Sequence, residues 1–152
     1  MQLKGVCLNE NLEKCIGLQL KLTKNIMENE HNKYLKDFGV SSEQGLLLKF
    51  VYECPGSTQT QLAEALHKDK TTITRMIDTL VKKGKLYRES SAEDRRVFRI
   101  FVTKETSQKV EEISPIFEQR LKELENIINK EDYNRTLKVL NQIKEYYRGL
   151  NK

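Results

Sequence analysis

The sequence predicts a mainly α-helical fold with a small β component (α+β), in which a winged helix-turn-helix lies between long N- and C-terminal dimerisation helices. Two short capped helices meet at a tight turn, a β-hairpin pattern follows them directly, and apolar residues at helical spacing run through both ends of the chain. The predicted regions are residues 1–40 for the N-terminal dimerisation helix, 41–103 for the winged helix-turn-helix, and 104–152 for the C-terminal dimerisation helices.

Composition limits the class of protein. A chain of 152 residues suffices for one globular domain and leaves no room for two independent cores. No apolar run approaches the roughly 20 residues that a bilayer span needs, and the N-terminal segment lacks the apolar core of a signal peptide. We therefore expect a cytoplasmic protein. Its three cysteines, Cys7, Cys15 and Cys54, form no CxxC pair and have no histidine at metal-ligand spacing, so we expect no disulfide, metal or cofactor.

Long helical patterns occupy both ends of the chain. The first is predicted from about Leu8 to Phe38, where Gly39 can take the left-handed conformation that ends a helix. The second begins at Thr103 and runs to about Ile128, with Pro115 expected to bend or break it, and the last helix begins at Glu131. The first helix is longer than a small domain requires. Helices from both ends are therefore expected to pack on a second copy of the chain.

The centre of the chain contains the helix-turn-helix pattern. Capping boxes at Ser41–Gln44 and Thr58–Gln61 predict two short helices, and Asp69 can cap a third after a turn of a few residues. In that third helix one face carries apolar residues and the opposite face carries polar ones. The apolar face has Ile73, Met76, Ile77 and Leu80, and the polar face has Thr71, Thr74, Arg75 and Asp78. A free polar face near a helix N-terminus is typical of a helix that enters a DNA groove.

A β-hairpin is predicted directly after this helix. Leu86–Glu89 begins an extended pattern, residues 90–94 form a polar turn, and Val97–Val102 returns as the second strand. Between Ser57 and Thr103 there are ten Lys/Arg and six Asp/Glu, so most of the net charge of +5 lies here. A basic hairpin after a helix-turn-helix is the plan of a winged helix, and an arginine at its tip can enter a minor groove.

These residues resemble the MarR family of bacterial transcriptional regulators. The resemblance covers nearly the whole chain, through FGVSSEQGLLLKF in the second helix, TQTQLAEALHKDKTTITRMIDTLVKKGKL in the helix-turn-helix and DRRVFRIFVT in the wing. The wing is the most specific part. The family's pattern of Asp, any residue, Arg, five residues and Leu-Thr is present as Asp94, Arg96, Val102 and Thr103, with Val in place of Leu.

The resemblance implies an obligate homodimer that presents two recognition helices to successive major grooves of a pseudo-palindromic operator. It also implies a repressor that is released by a small aromatic or phenolic ligand. The expected partners are therefore double-stranded DNA, a second copy of the chain and such an effector. The resemblance assigns Thr71, Thr72 and Arg75 to the recognition helix, Arg96 to the minor groove, and Asp94 to the orientation of that arginine.

General chemistry supports these assignments. Arg75 can donate two hydrogen bonds to guanine, and threonine methyl groups can contact thymine. Lysine, arginine and hydroxyl side chains around that helix suit phosphate contacts, which fix register without reading sequence. The predicted DNA-binding residues are Lys70, Thr71, Thr72, Thr74 and Arg75 in the helix, Asp94, Arg95 and Arg96 in the wing, and Thr60, Lys82 and Lys85 as phosphate contacts.

Each assignment has an alternative. Arg75 could form a surface salt bridge with Asp78, Asp94 and Arg96 could be a solvated turn pair, and Lys82, Lys83 and Lys85 could be an ordinary cationic helix end. Cys15 could sense oxidants, but its place on an apolar helical stripe favours a buried structural thiol. A winged-helix protein–protein adaptor is the alternative function, although it would more often present apolar residues on this helix. No catalytic motif surrounds either histidine, so we expect no enzyme.

Overall fold

The computed structural model describes residues 10–91, 94 and 96–150. Its elements confirm the α+β winged helix-turn-helix. In chain order they are α1 (Glu10–Glu13), α2 (Ile16–Leu35), α3 (Ser42–Glu53), β1 (Ser57–Thr58), α4 (Gln59–Leu66), α5 (Lys70–Lys82), β2 (Leu86–Ser90), β3 (Phe98–Val102), α6 (Lys104–Ile128) and α7 (Lys130–Gly149). The chain forms two compact units, one ending at Val110 and the other beginning at Glu111. No helix in the described ranges is long and apolar enough to cross a membrane.

The N-terminal helical region differs from the prediction of one continuous helix. The described part contains two helices, because Cys15 takes an extended conformation with φ −76° and ψ 108° between them. The side-chain amide of Gln19 stabilises this break by donating to the backbone carbonyl of Glu13 at 2.9 Å. Gly17, at the start of α2, adds a residue of low helix propensity. The predicted starting residue, Leu8, lies outside the described residues.

The end of α2 follows the prediction closely. Gly39 has φ +70°, which is the left-handed conformation that an L side chain rarely adopts. Its N–H donates to the carbonyl of Lys36 at 2.9 Å, and the buried Val40 packs behind it. Ser41 then begins α3 with the predicted capping box, in which its hydroxyl accepts from the Gln44 N–H and the Gln44 side chain accepts in return. The turn at Gly39 and the cap at Ser41 therefore fix the direction in which α3 leaves α2.

The core of the first unit joins α3, α4 and α5. Its fully buried side chains come from all three helices, and they include Leu47, Leu48, Val51, Leu62, Ile73, Ile77 and Leu80. The turn between α4 and α5 is short because His67 takes the left-handed conformation at φ 50°. The next N–H, that of Lys68, donates back to the carbonyl of Ala63 at 3.0 Å. This turn orients α5 against the preceding helix.

A three-stranded antiparallel sheet in the order β1-β3-β2 completes the winged helix. Strands β2 and β3 form the predicted hairpin, in which Leu86 is opposite Val102 and Ser90 is opposite Phe98. The two-residue strand β1 was not predicted, because two residues cannot show an alternating pattern. It pairs Ser57 with Ile100, and the neighbouring Gly56 N–H donates to the Ile100 carbonyl at 2.9 Å. This third strand ties the hairpin to the start of α4.

The C-terminal helices α6 and α7 begin close to the predicted positions. Thr103 caps α6, since its hydroxyl accepts from the Thr106 N–H at 3.3 Å. The helix continues through Pro115 without a break. In the second unit, Asn129 caps α7 by accepting from the Asp132 N–H at 3.0 Å. Helix α7 has no buried residue, and its apolar residues Tyr133, Leu140 and Ile143 are half-buried.

Candidate nucleic-acid interface

The N-terminus of α5 is fixed by Asp69. Its carboxylate accepts from the Thr72 N–H at 2.8 Å and from the Thr72 hydroxyl at 2.6 Å. These two hydrogen bonds, led by the one from the hydroxyl, lower the pKa of Asp69 from its ordinary value of 3.8, because they stabilise the charged carboxylate. The hydroxyl proton of Thr72 is therefore committed to the cap. Thr72 keeps its place at the helix start, but it does not present a free donor.

Helix α5 divides into the two faces that its sequence predicts. Ile73, Ile77 and Leu80 are completely buried, whereas Lys70 and Arg75 are exposed. Thr71, in the first turn, is exposed as well. The helix is therefore held by one side and leaves the first two turns of the other accessible. That is the arrangement by which a helix can be inserted into a major groove.

Thr74 occupies the boundary between the two faces. It is half-buried, and its hydroxyl donates to the backbone carbonyl of Lys70 at 2.8 Å, with the Gln59 side-chain oxygen at 3.5 Å. The hydroxyl hydrogen is thus used within the protein, while the oxygen can still accept. Of the five residues predicted in this helix, Lys70, Thr71 and Arg75 are exposed, and Thr72 and Thr74 are half-buried.

Arg75 does not form the salt bridge with Asp78 that was the alternative to DNA binding. Asp78 pairs instead with Arg88 of β2, whose guanidinium nitrogen Nη2 lies 2.5 Å from the carboxylate oxygen Oδ1. No carboxylate among the described residues pairs with Arg75, so its guanidinium is exposed and available. Arg88 was not among the residues predicted from the sequence. The alternation along β2, which puts Arg88 opposite the buried Ile100, was the signal that it points toward the protein.

The tip of the wing is shaped by Asp94. Its carboxylate oxygen Oδ1 accepts from the backbone N–H of Arg96 at 2.9 Å, and its own carbonyl accepts from the Val97 N–H at 2.9 Å. Asp94 therefore orders the backbone of the turn that carries Arg96. Arg96 is exposed. Arg95, also predicted here, lies outside the described residues.

The three predicted phosphate contacts have different surroundings. Thr60, in the first turn of α4, and Lys82, in the last turn of α5, are exposed. Lys85 is different, because its side chain is only 14% exposed and its ammonium lies 4.0 Å from the centre of the Phe38 ring and 3.9 Å from a Glu105 oxygen. That lysine contacts two other segments of the protein, so a phosphate would have to compete with these interactions, and its phosphate contact stays a prediction.

The cysteines were weighed as redox sensors. Cys15 is exposed in the single chain, so the prediction of a buried thiol is wrong for the monomer. The physical reason is the break between α1 and α2, which takes Cys15 out of the helical stripe. Cys54, at the end of α3, is exposed as well, and Cys7 lies outside the described residues. In the described ranges no group of three or more His, Cys, Asp or Glu residues is arranged to hold a metal ion.

Comparison with known proteins agrees with this geometry. The model of the MarR family matches residues 40–98, which include α3, the helix-turn-helix and the hairpin up to the start of β3. Over these residues the chain matches the MarR family, which confirms the resemblance seen in the sequence. MarR family regulators are non-enzymatic DNA-binding proteins, so the match supports the predictions of a DNA-binding transcriptional regulator and of a protein that is not an enzyme.

Several solved structures have the same fold. The MepR–DNA complex of S. aureus has a TM-score of 0.82 and 23% identity, over 88% of this chain and 98% of that one. The transcriptional regulator SlyA has a TM-score of 0.79 and 20% identity, over 91% and 94%. The transcriptional repressor CouR, bound to a 23-mer DNA duplex, has a TM-score of 0.78 and 20% identity, over 91% and 99%. At these identities the similarity establishes the fold alone.

Proposed function

We propose that this protein is a MarR family regulator that binds DNA sequence-specifically as a homodimer on a pseudo-palindromic operator. The observation that carries the proposal is the exposed face of α5, where Arg75 stands unpaired among the described residues one turn after the exposed Thr71. The opposite face is completely buried at Ile73 and Ile77, so the helix is held rigidly behind the proposed contact. The similar MepR and CouR structures were determined with DNA.

Direct reading of bases is assigned to α5. A guanidinium matches the two acceptors that guanine presents in the major groove, so Arg75 is proposed to read one base pair. Thr71 is proposed to contact a neighbouring base or phosphate. Thr72 and Thr74, whose hydroxyls donate within the protein, can contribute their methyl groups or an acceptor oxygen. Lys70, in the first turn of the helix, is proposed to contact a phosphate.

Contacts on either side of α5 would fix its register. Arg96 and Arg95 at the wing tip are proposed to enter the minor groove, whose negative potential attracts arginine. Asp94 supports them through the turn geometry that it imposes on the Arg96 backbone. Thr60 and Lys82, both exposed, are proposed as phosphate contacts.

A homodimer is supported by apolar residues that the single chain leaves exposed. In the first unit they lie on α1 and α2, and in the second they are most numerous on α7, which buries nothing. Scattered apolar residues are ordinary, but a group of them on one helix face, such as Ile16, Leu20 and Met27 of α2, marks an interaction surface. The set comprises Leu12, Ile16, Leu20, Ile26 and Met27 in the first unit, and Ile116, Leu121, Ile127, Leu137, Val139, Tyr146 and Tyr147 in the second.

Repression and release by a small aromatic or phenolic ligand extend the proposal and rest on the family resemblance. A dimer bound over a promoter would exclude other proteins from the same DNA, and a ligand that favours another arrangement of the two recognition helices would weaken binding. The proposed partner, genomic DNA, would be met in the cytoplasm. Redox control through Cys15 stays the alternative, and its exposure at the start of α2 is the observation that favours it.

The test of DNA binding is its dependence on salt. The full-length protein is titrated against duplex DNA from its own upstream region and against a random duplex of equal length, between about 50 and 200 mM salt. We expect affinity to fall steeply with salt on both duplexes, because each phosphate contact releases counterions, and to stay higher on the upstream DNA. Absence of duplex binding at low salt, or binding that does not change with salt, would refute the proposal and favour a protein–protein adaptor.

A further inference from the structure

The single acidic residue of α5 lies on the face proposed to meet DNA. Residues 71, 75 and 78 are separated by four and three positions, so their side chains follow one stripe within about 60° of each other. Asp78 therefore stands beside Arg75 on the same face of the helix. A bare carboxylate at that position would have two effects: it would repel phosphates, and it would attract the Arg75 guanidinium across one turn.

Arg88 of β2 prevents both effects. Its Nη2 atom lies 2.5 Å from Oδ1 of Asp78, and the pair joins the first strand of the wing to the middle of α5. The Arg88 side chain is 26% exposed, and its Nε atom is buried without a hydrogen-bond partner in the described part of the chain. The guanidinium is therefore held mainly by this one carboxylate, and Arg75 is left unpaired.

We infer that Arg88 is a positioning residue of the DNA interface, which acts through Asp78 to remove the one negative charge from the reading face of α5. The inference rests on the proposed function, namely that α5 reads DNA. Because Arg88 neutralises Asp78, the carboxylate does not repel DNA phosphates. For the same reason the Arg75 side chain remains available to contact a base. The salt bridge also fixes the wing strand to the helix, so one contact sets the charge and the geometry of the interface together.

The inference is tested with a double-mutant cycle on the full-length protein. Affinity is measured for the duplex from the protein's own upstream region, used as the operator, and for a random duplex of equal length. We expect Arg88→Gln to weaken operator binding about 3- to 10-fold, as expected for one uncompensated charge near phosphates in a high-dielectric setting. Adding Asp78→Asn removes that charge, so the double variant should return to within about twofold of the wild type.

The matched control is Arg120→Gln on α6. It makes the same chemical change and also removes a guanidinium from a carboxylate, that of Glu123, at 2.7 Å. Because Arg120 lies outside the winged helix-turn-helix, this variant should keep wild-type affinity. An equal loss of affinity in Arg120→Gln would show that net charge alone is responsible, which would overturn the inference.

Other outcomes are equally decisive. A double variant as weak as Arg88→Gln would mean that Arg88 touches DNA itself or only supports the hairpin, and this would overturn the inference. If the thermal midpoint of Arg88→Gln shows that this variant does not fold, the inference is tested with the single variant Asp78→Asn instead. It should bind both duplexes at least as tightly as the wild type, and weaker binding would refute the role of Arg88. Wild-type protein that binds no duplex refutes the proposed function itself, whereas failure of the cycle with a binding wild type refutes this inference alone.

Discussion

Replacement of Arg75 by alanine separates sequence reading from general attraction to DNA. The side chain is exposed and has no carboxylate partner in the described ranges, so its removal leaves no buried charge behind and should not lower stability. The buried side chains that hold the helix from behind, Ile73 and Ile77, are untouched. Any change in DNA binding by this variant therefore reports on an interaction with DNA.

The expected size follows from the chemistry of the interaction. A guanidinium that bridges both acceptors of guanine contributes about 1 to 3 kcal/mol of discrimination, which corresponds to roughly 5- to 150-fold in the ratio of affinities. A homodimer would present Arg75 twice, so the free-energy loss over a full operator could approach double that of one half-site. Competition between the operator and a random duplex, at fixed salt, measures the ratio directly.

Lys82→Ala is the matched comparison. Lys82 is exposed at the end of α5 and is proposed to bind a phosphate, so its removal should weaken both duplexes by about the same factor. The salt slope should also fall by about 1 for each phosphate that the variant no longer neutralises. Equal weakening of both duplexes by Arg75→Ala would contradict the reasoning, because it would make Arg75 another phosphate-binding residue.

The fold supports four further predictions. Gly39→Ala should destabilise the protein by about 1 to 2 kcal/mol, because φ at this position is +70°. Gly17→Ala, in the helix α2, should leave stability unchanged or raise it slightly. Denaturant titration of the two variants compares their free energies of unfolding. The Asp69 carboxylate should stabilise the protein at pH values above the pKa of about 3.8 that Asp69 has in the unfolded chain. This stabilisation is lost as pH falls through the lowered pKa of the folded state. The thermal midpoint of Asp69→Asn should therefore depend less on pH below about pH 4 than that of the wild type. Leu137→Glu on α7 should shift the protein from dimer to monomer in light scattering, and a persistent dimer would exclude that face from the interface. Cys15→Ser should leave operator binding and its response to peroxide unchanged, and loss of a peroxide-induced release would establish redox control.

Local patterns in the sequence predicted most of the fold. Capping boxes at Ser41 and Thr58, the cap at Asp69 and the glycine at position 39 were all recognisable, because each depends on residues within four positions of one another. The hairpin was recognisable for the same reason. The two-residue strand β1 was not, since it is defined by its pairing with β3 about 40 residues away.

The break at Cys15 shows a second limit of pattern reading. Apolar spacing continues across it, so the sequence indicates one helix, whereas the structure ends α1 at Glu13 and begins α2 at Ile16. What maintains the break is a side chain four residues further on, since Gln19 donates to the Glu13 carbonyl. Helix propensity alone carries no information about such a hydrogen bond.

The charges around α5 show why sequence could name the candidate DNA-binding residues but not sort them. Lys82 and Lys85 are three positions apart and chemically identical, yet one is exposed and the other lies against Phe38 from the end of α2. Asp78 had a plausible local partner in Arg75, but its actual partner comes from β2 after the chain has turned. Which cations remain for DNA is therefore decided by non-local interactions. It follows that a substitution in the wing strand, at Arg88, can change what the recognition helix presents without altering any residue of that helix.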